Sequence, residues 1–202
     1  VEIKEEHIES AGNCQPAFFK NIPLFATQFL SESLEWSKFN LKDQKLILNK
    51  RDILKIAFFD CWMANEDRNW NNFNLLTNPV EDGWEIVPID HGACFNSLMF
   101  TEGRELVQLS ENETLIDTEE FRNLVKPNFK SFAELNEFIE SMYLCIPDLE
   151  KIYDEQVIEI PQEWNIPKSY SDALKANLFH QEWLSVTKSH FSAFIKSSLQ
   201  LK

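Results

Sequence analysis

Glycine is scarce in this 202-residue chain: only Gly12, Gly83, Gly92 and Gly103 are present. They stand too far apart to build a glycine-rich phosphate loop, and there is no Walker sequence. Cysteine is sparse as well. Cys14, Cys61, Cys94 and Cys145 are scattered, with no C-x-x-C pair and no signal-peptide pattern ahead of them. That usage is expected of reduced thiols in a cytoplasmic protein. No apolar run approaches the roughly 18 residues that would suggest a membrane span. Positive charge is also short, with 19 Lys and Arg against 33 Asp and Glu and a net charge of −14. Such a surface argues against nucleic acid or an anionic membrane as a partner of the chain by itself. It does not bar an anion held through a local cation. There is no internal repeat or low-complexity segment. Core-forming material is plentiful, at 44% hydrophobic and 13% aromatic residues, enough for one domain with a sizeable core.

The most informative stretch is 67–92, DRNWNNFNLLTNPVEDGWEIVPIDHG. Phe73 to Thr77 is a short apolar run, Asn78 to Gly83 is dense in turn formers, and Trp84 to Ile89 is rich in strand formers. This pattern predicts an antiparallel hairpin, which returns the chain to its starting end. The flanking loops then meet at the open mouth, one carrying Asp67, Asn69, Asn71 and Asn72 and the other Asp90. Carboxylates and amide oxygens gathered there suit a hard cation such as Mg²⁺, which usually comes with phosphate. Two other readings compete. Asp and Asn are common in loops because they hydrogen-bond local backbone. The spacing of Asp67, Asn69 and Asn71 also imitates a calcium loop. That loop needs Gly sixth and Glu twelfth, where this chain has Asn72 and Asn78, so the calcium reading fails.

The segments WMANEDRNWNNFNLL and EIVPIDHGACF resemble the active-site core of the HipA-like protein kinases. The wider relatives of that family are the protein and lipid kinases. The shared pattern is N-x-D-R-x-x-x-N-x-N-L-L followed, across a hairpin, by I-D-H-G; a weaker likeness runs along the chain and includes IPQEW at 160–164. The resemblance implies that Asp67 is the catalytic-loop base that orients the acceptor hydroxyl. It makes Asn72 the metal-binding Asn of the loop and Asp90 the Mg²⁺-binding Asp. These roles are physically coherent, since phosphoryl transfer needs positioning and charge neutralisation more than covalent chemistry. Arg68, beside the base, is a second catalytic candidate: it either meets a phosphate or acidic group or forms a structural ion pair. His91 is read as structural because it adjoins a metal-type Asp. Asn65 and Asn74 are either supporting hydrogen bonders or ordinary loop and cap residues. Leu24 to Leu30 is a strand candidate. The resemblance makes it the strand entering the hinge, with Gln28, Phe29 and Leu30 binding the cofactor at its adenine; the alternative is an ordinary core strand.

Elsewhere the patterns are plainer. Residues 42–50 (KDQKLILNK) read as helical. Asp52 is placed to cap a helix running to about Asn65, whose apolar residues surround it and mark it as buried. Residues 93–120 carry little periodicity, which suits an activation or substrate loop. Ser97, Thr101, Ser110, Thr114 and Thr118 are candidate modification sites there. Ser131 to Glu134 reads as a capping box opening a helix to about Cys145. Pro147, Pro161 and Pro167 break up the next region. Ser171 to His180 and Trp183 to Leu199 read as two closing helices. His180 and His190 lack metal-spaced partners and read as structural.

The expected fold is α+β, a protein-kinase-like (HipA-like) large lobe that is mostly helical around a catalytic hairpin. Residues 1–34 would be a small-lobe remnant and hinge, and 35–202 the C-terminal lobe. The small lobe itself, with its phosphate-gripping Lys and glycine-rich loop, is largely absent. It would lie upstream, come from another chain, or be reduced in this relative. The resemblance implies an ATP- and Mg²⁺-dependent phosphotransferase acting on a Ser or Thr hydroxyl of an unidentified protein or small molecule. It also allows a partner chain that bears a small lobe or resembles an antitoxin. The alternatives are a non-catalytic nucleotide-binding or interaction module, and a small-molecule or lipid kinase.

Overall fold

The computed structural model describes residues 29–38, 45–96 and 105–200. Its centre is helix α1, Asp52–Trp62, with Ile53, Leu54, Ile56, Ala57, Phe58, Cys61 and Trp62 buried. A helix apolar on most sides needs partners all round, and α1 packs against the long closing helix α6 (Gln181–Leu199), against α2 (Glu119–Val125) and against the sheet. Phe58 meets the rings of Tyr143 and Phe191 edge-on at 4.8 and 5.5 Å. The Trp62 indole N–H donates to the Leu178 carbonyl at 2.8 Å. The Trp183 indole N–H donates to the Trp62 carbonyl at 3.1 Å. The C-terminal end of α1 is thus pinned where the loop that carries Asp67 departs.

The helix stops at Trp62, earlier than the periodicity of its sequence indicates. Ala64 turns left-handed, with φ 48°, and the Asn65 N–H donates to the Asp60 carbonyl at 2.9 Å. This is a Schellman-type closure, built on alanine where glycine is usual. Asp52 does not cap the helix either. It is the first helical residue, and its carboxylate pairs with Lys55 at 2.7 Å.

The sheet is small and antiparallel, in the order β1 (Leu34–Glu35), β2 (Leu75–Val80), β3 (Gly83–Pro88). The expected hairpin is present with a tighter turn: β2 runs on through Asn78 and Pro79, leaving Glu81 and Asp82 between the last pair, Val80 and Gly83. A Cβ on Gly83 would lie 2.3 Å from the Leu46 carbonyl oxygen, so this glycine is required by close approach. Gly83→Ala should destabilise the fold by about 1–3 kcal/mol, read as a lower urea midpoint.

Three expectations change. Phe29 and Leu30 are not in a strand: Leu30 begins a turn, its carbonyl accepting from the Ser33 N–H at 3.3 Å, and pairing starts only at Leu34. Leu24 to Gln28 lie outside the described residues. The segment read as helical at 42–50 is no α-helix over its described part. Ile47 is buried and bridges Trp84, while the Asn49 side chain both donates to and accepts from the Ile86 backbone at 3.0 and 2.8 Å. Tertiary pairing with the outer edge of β3 overrides local propensity there. Pro147 starts a helix instead of breaking one. It stands in the first turn of α4 (Ile146–Ile158), where its missing N–H costs nothing.

Helices α3 (Phe132–Leu144) and α5 (Lys168–Leu178) complete the helical layer. Ser131 caps α3 as expected, accepting from the Glu134 N–H at 3.2 Å. The Glu134 carboxylate reaches past Ser131 to the Lys130 N–H, 2.9 Å away, and also pairs with Arg51. The backbone bond first and Arg51 after it hold that carboxyl below its ordinary pKa. Residues 105–120 are docked to the core through Leu106, Leu109, Leu115 and Ile116. Thr114 and Thr118 are buried caps and Ser110 belongs to a capping box. The two threonines are therefore inaccessible as modification sites; Ser97 and Thr101 lie outside the described residues. Among the described residues no helix is long and apolar enough to cross a membrane.

Candidate functional site

The loops at either end of the hairpin do meet. Ile89 N–H donates to the Asn74 carbonyl at 2.9 Å, extending the hairpin by one bond. Beyond it, the loop after α1 pairs with the loop after β3. Glu66 N–H donates to Ala93 O at 3.4 Å, Phe95 N–H to Met63 O at 2.7 Å, and Asn96 N–H to Ala64 O at 3.0 Å. Asn96 also closes its own loop, exchanging side-chain hydrogen bonds with the Val107 backbone at 3.1 and 2.7 Å.

Asp67 is half-buried on this floor. Its Oδ2 accepts from Asn72 Nδ2 at 2.9 Å and from Asn74 Nδ2 at 3.2 Å. The Asn72 amide donates through its nitrogen and so turns its oxygen away from Asp67. Asn69 serves the loop itself: its Nδ2 donates to Glu66 O at 3.2 Å and its Oδ1 accepts from Asn71 N–H at 3.0 Å. Asp90 is exposed and left-handed, with φ 50°; its Oδ1 accepts from Gly92 N–H at 3.2 Å. Among the described non-glycine residues with positive φ, Ala64, Asn74, Asp90, Phe95 and Asn96 belong to these loops and only Asn165 and Gln200 lie elsewhere. Strained backbone of this kind persists where surrounding structure over-determines it, and it gathers at functional sites.

Arg68 is 0% exposed. One arm of its guanidinium, Nη1, pairs with buried Asp60 on α1, and the other, Nη2, donates to Ile89 O at 2.7 Å. Of the two readings open to Arg68, the structure has the structural ion pair; the side chain faces inward and not the site opening. Asn65 Nδ2 donates to the same Asp60 oxygen at 2.8 Å. Burial pushes the Asp60 carboxyl up to about 7, against the downward pull of Arg68 and of the Asn65 amide. A raised folded-state value has a definite sign. The contribution of Asp60 to stability is fully present below about pH 4 and is lost as pH rises through about 7. Between those limits the urea midpoint of the wild type should fall relative to that of Asp60→Asn.

His91 stands edge-on to Phe59 at 5.5 Å. Burial, then the charge of Arg68, hold its imidazole below the ordinary value, with Asp90 opposing. Burial also raises the thiols of Cys61 and Cys94, the latter to about 11. Both are free and held protonated.

A cavity of about 320 Å³ opens next to the hairpin mouth, with Asn72, Asn74 and Ile89 in its wall but neither Asp67 nor Asp90. Asn71, Asn72, Phe73, Asn74, Leu75 and Ile89 line one side, and Glu35, Trp36 and Ser37 the other. Phe29 and Leu30 do not reach it, Phe29 being 86% exposed, and Gln28 lies outside the described residues. Nothing local in the sequence marks Glu35 to Ser37; β1 pairing brings them to the hairpin.

The donor set fits a hard divalent cation. Asn72 Oδ1, Asp90 Oδ2 and Asp67 Oδ1 accept no hydrogen bond among the described residues, and all three are hard oxygen donors. No cluster of three or more His, Cys, Asp or Glu able to hold a metal occurs among the described residues. Protein oxygens would therefore be supplemented by phosphate and water, which is how Mg²⁺ is usually held.

Two carboxylates thus stand in the loops at the hairpin mouth, and one of them is paired to an Asn five residues on. The HipA-like kinase family model matches residues 1–191, so the chain belongs to the HipA-like kinase family. No curated protein and no solved structure matches it. Membership makes the protein a kinase by family, which implies ATP and a divalent metal.

Proposed function

We propose that this chain is the kinase-like large lobe of an ATP- and Mg²⁺-dependent phosphotransferase that passes the γ-phosphate to a Ser or Thr hydroxyl of a protein. The observation that carries this reading is the hydrogen-bond chain from Asp67 through Asn74 to Ile89, which delivers Asp90 to the same mouth beside a cavity of about 320 Å³. That volume lies in the range of small-ligand sites.

In this reading Asp67 is the group that meets the acceptor hydroxyl. Its Oδ2 is held by two amides, which fixes the carboxylate, and Oδ1 is left to orient the hydroxyl and take its proton. Asn72 and Asp90 would hold the metal through Asn72 Oδ1 and Asp90 Oδ2. The metal, when bound, neutralises charge on the phosphates. Asn adds an oxygen without adding charge repulsion. Trp36, Phe73, Leu75 and Ile89 give the cavity apolar walls suited to a flat base. Residues 1–34 act as the hinge side and small-lobe remnant, and 35–202 as the large lobe.

The test is the thermal midpoint with ATP, with Mg²⁺, and with both. Binding to the folded state alone at a hundredfold excess over Kd adds about 2.7 kcal/mol of stability. A rise that needs both components is the expected result. No rise with Mg-ATP would overturn the nucleotide reading of the cavity.

A further inference from the structure

We infer that Asp60 and Arg68 form a positioning strut that sets the backbone at Ile89, and so aims Asp90. The inference rests on the reading of Asp90 as a metal-holding group. Asp60 sits on α1, the most deeply packed helix, and is 0% exposed. It accepts from Arg68 Nη1 and from Asn65 Nδ2. Arg68 Nη2 then donates to Ile89 O at 2.7 Å. The Ile89 N–H is held by Asn74, whose side chain holds Asp67. A single buried carboxylate therefore anchors both sides of the mouth to the core.

The energetics favour this use over stability. A buried ion pair is often matched or bettered in stability by apolar residues of similar volume, because both charges are desolvated. This pair is also incompletely satisfied: Asp60 Oδ2, Asn65 Oδ1 and Arg68 Nε make no hydrogen bond among the described residues. What the pair does supply is direction. The guanidinium is a planar fork with donors on two arms, so a group fixed by Asp60 on one arm presents the other at a set place and angle. That place is the carbonyl immediately before the left-handed Asp90. A left-handed Asp is held there only if its neighbours determine it, and the bonds at Ile89 O and Ile89 N–H do so.

Arg68→Lys separates the two roles. It keeps the buried charge opposite Asp60 and removes the second arm, so a merely structural ion pair would tolerate it. Amide hydrogen exchange is read at Ile89, with Ile139 in α3 as the internal control. Mn²⁺ affinity is measured in the presence of ATP. The strut predicts about tenfold faster exchange at Ile89 with Ile139 unchanged, and a similar loss of Mn²⁺ affinity with ATP affinity held. Read above about pH 7, where Asp60 carries its charge, Asp60→Asn leaves an oxygen for Arg68 and loses only that charge; it decides the matter if Arg68→Lys does not fold, and should accelerate Ile89 exchange in the same direction. Unchanged exchange at Ile89 in the folded variants overturns the strut. The exchange readout needs no nucleotide. Wild type that binds no Mn²⁺ with ATP would therefore sink the kinase reading of the site separately.

Discussion

Asp67→Ala is expected to lower phosphoryl transfer by about a thousandfold or more, roughly 4 kcal/mol of transition-state stabilisation, while Mg-ATP affinity stays within a few-fold. The reasoning starts from what Asp67 touches. Asn72 and Asn74 hold one oxygen and no cation pairs with it among the described residues, so its charge is directed at an incoming hydroxyl. Removing it takes away proton acceptance and orientation together. It also releases two amides that had fixed the loop, so a minor loss of metal affinity through Asn72 accompanies the main effect. Asp67→Asn refines the test, because an amide oxygen can still accept from both asparagines. Single-turnover transfer of the γ-phosphate, read beside nucleotide affinity, checks the prediction. Retained turnover in either variant would remove Asp67 from the base role.

Asp90→Asn should abolish the Mg²⁺-dependent part of nucleotide binding. Asn tolerates left-handed backbone nearly as well as Asp does, so the φ of 50° survives and the change isolates charge. Losing a charged oxygen ligand should cost on the order of 3 kcal/mol, or about two orders of magnitude in metal affinity. The midpoint rise with Mg-ATP should then nearly vanish, and transfer should fall with it. Titration of Mg²⁺ at fixed ATP measures the effect. An unaltered Mg²⁺ dependence would show that Asp90 does not hold the metal. Asp90→Ala is the poorer variant, because alanine is costly at positive φ and would mix strain with chemistry.

Much of this was legible in the residues themselves. Two strand-like runs around a turn-rich centre identified the hairpin, because strand formers and turn formers are local signals. The apolar girdle of α1 identified a buried helix for the same reason. The hairpin pattern placed Asp67 and Asn72 at one mouth, and the hydrogen bond between them is visible only in the structure. Ser131 announced its helix because capping is chemistry between near neighbours.

What the chain does with distant neighbours had to come from the tertiary structure. The end of α1 at Trp62 has no glycine to signal it; the left-handed Ala64 is held there by the ladder that joins residues 63–66 to 93–96. Lys45 to Lys50 are helix-like in composition, yet β3 offers an edge that Ile47 and Asn49 complete. Pro147 reads as a breaker from composition and acts as a starter, because only position within the first turn decides between the two. Arg68 is the sharpest case. Its neighbour Asp67 suggested a phosphate partner as readily as an ion pair, and nothing in the sequence marked Asp60, eight residues back on a helix, as its anion. The sequence by itself determined the hairpin, the buried helix α1 and the Ser131-capped helix, because strand formers, turns and caps act over a few residues. The tertiary structure decided where those side chains point and what buries them, because packing and ion pairing join residues that the chain holds apart.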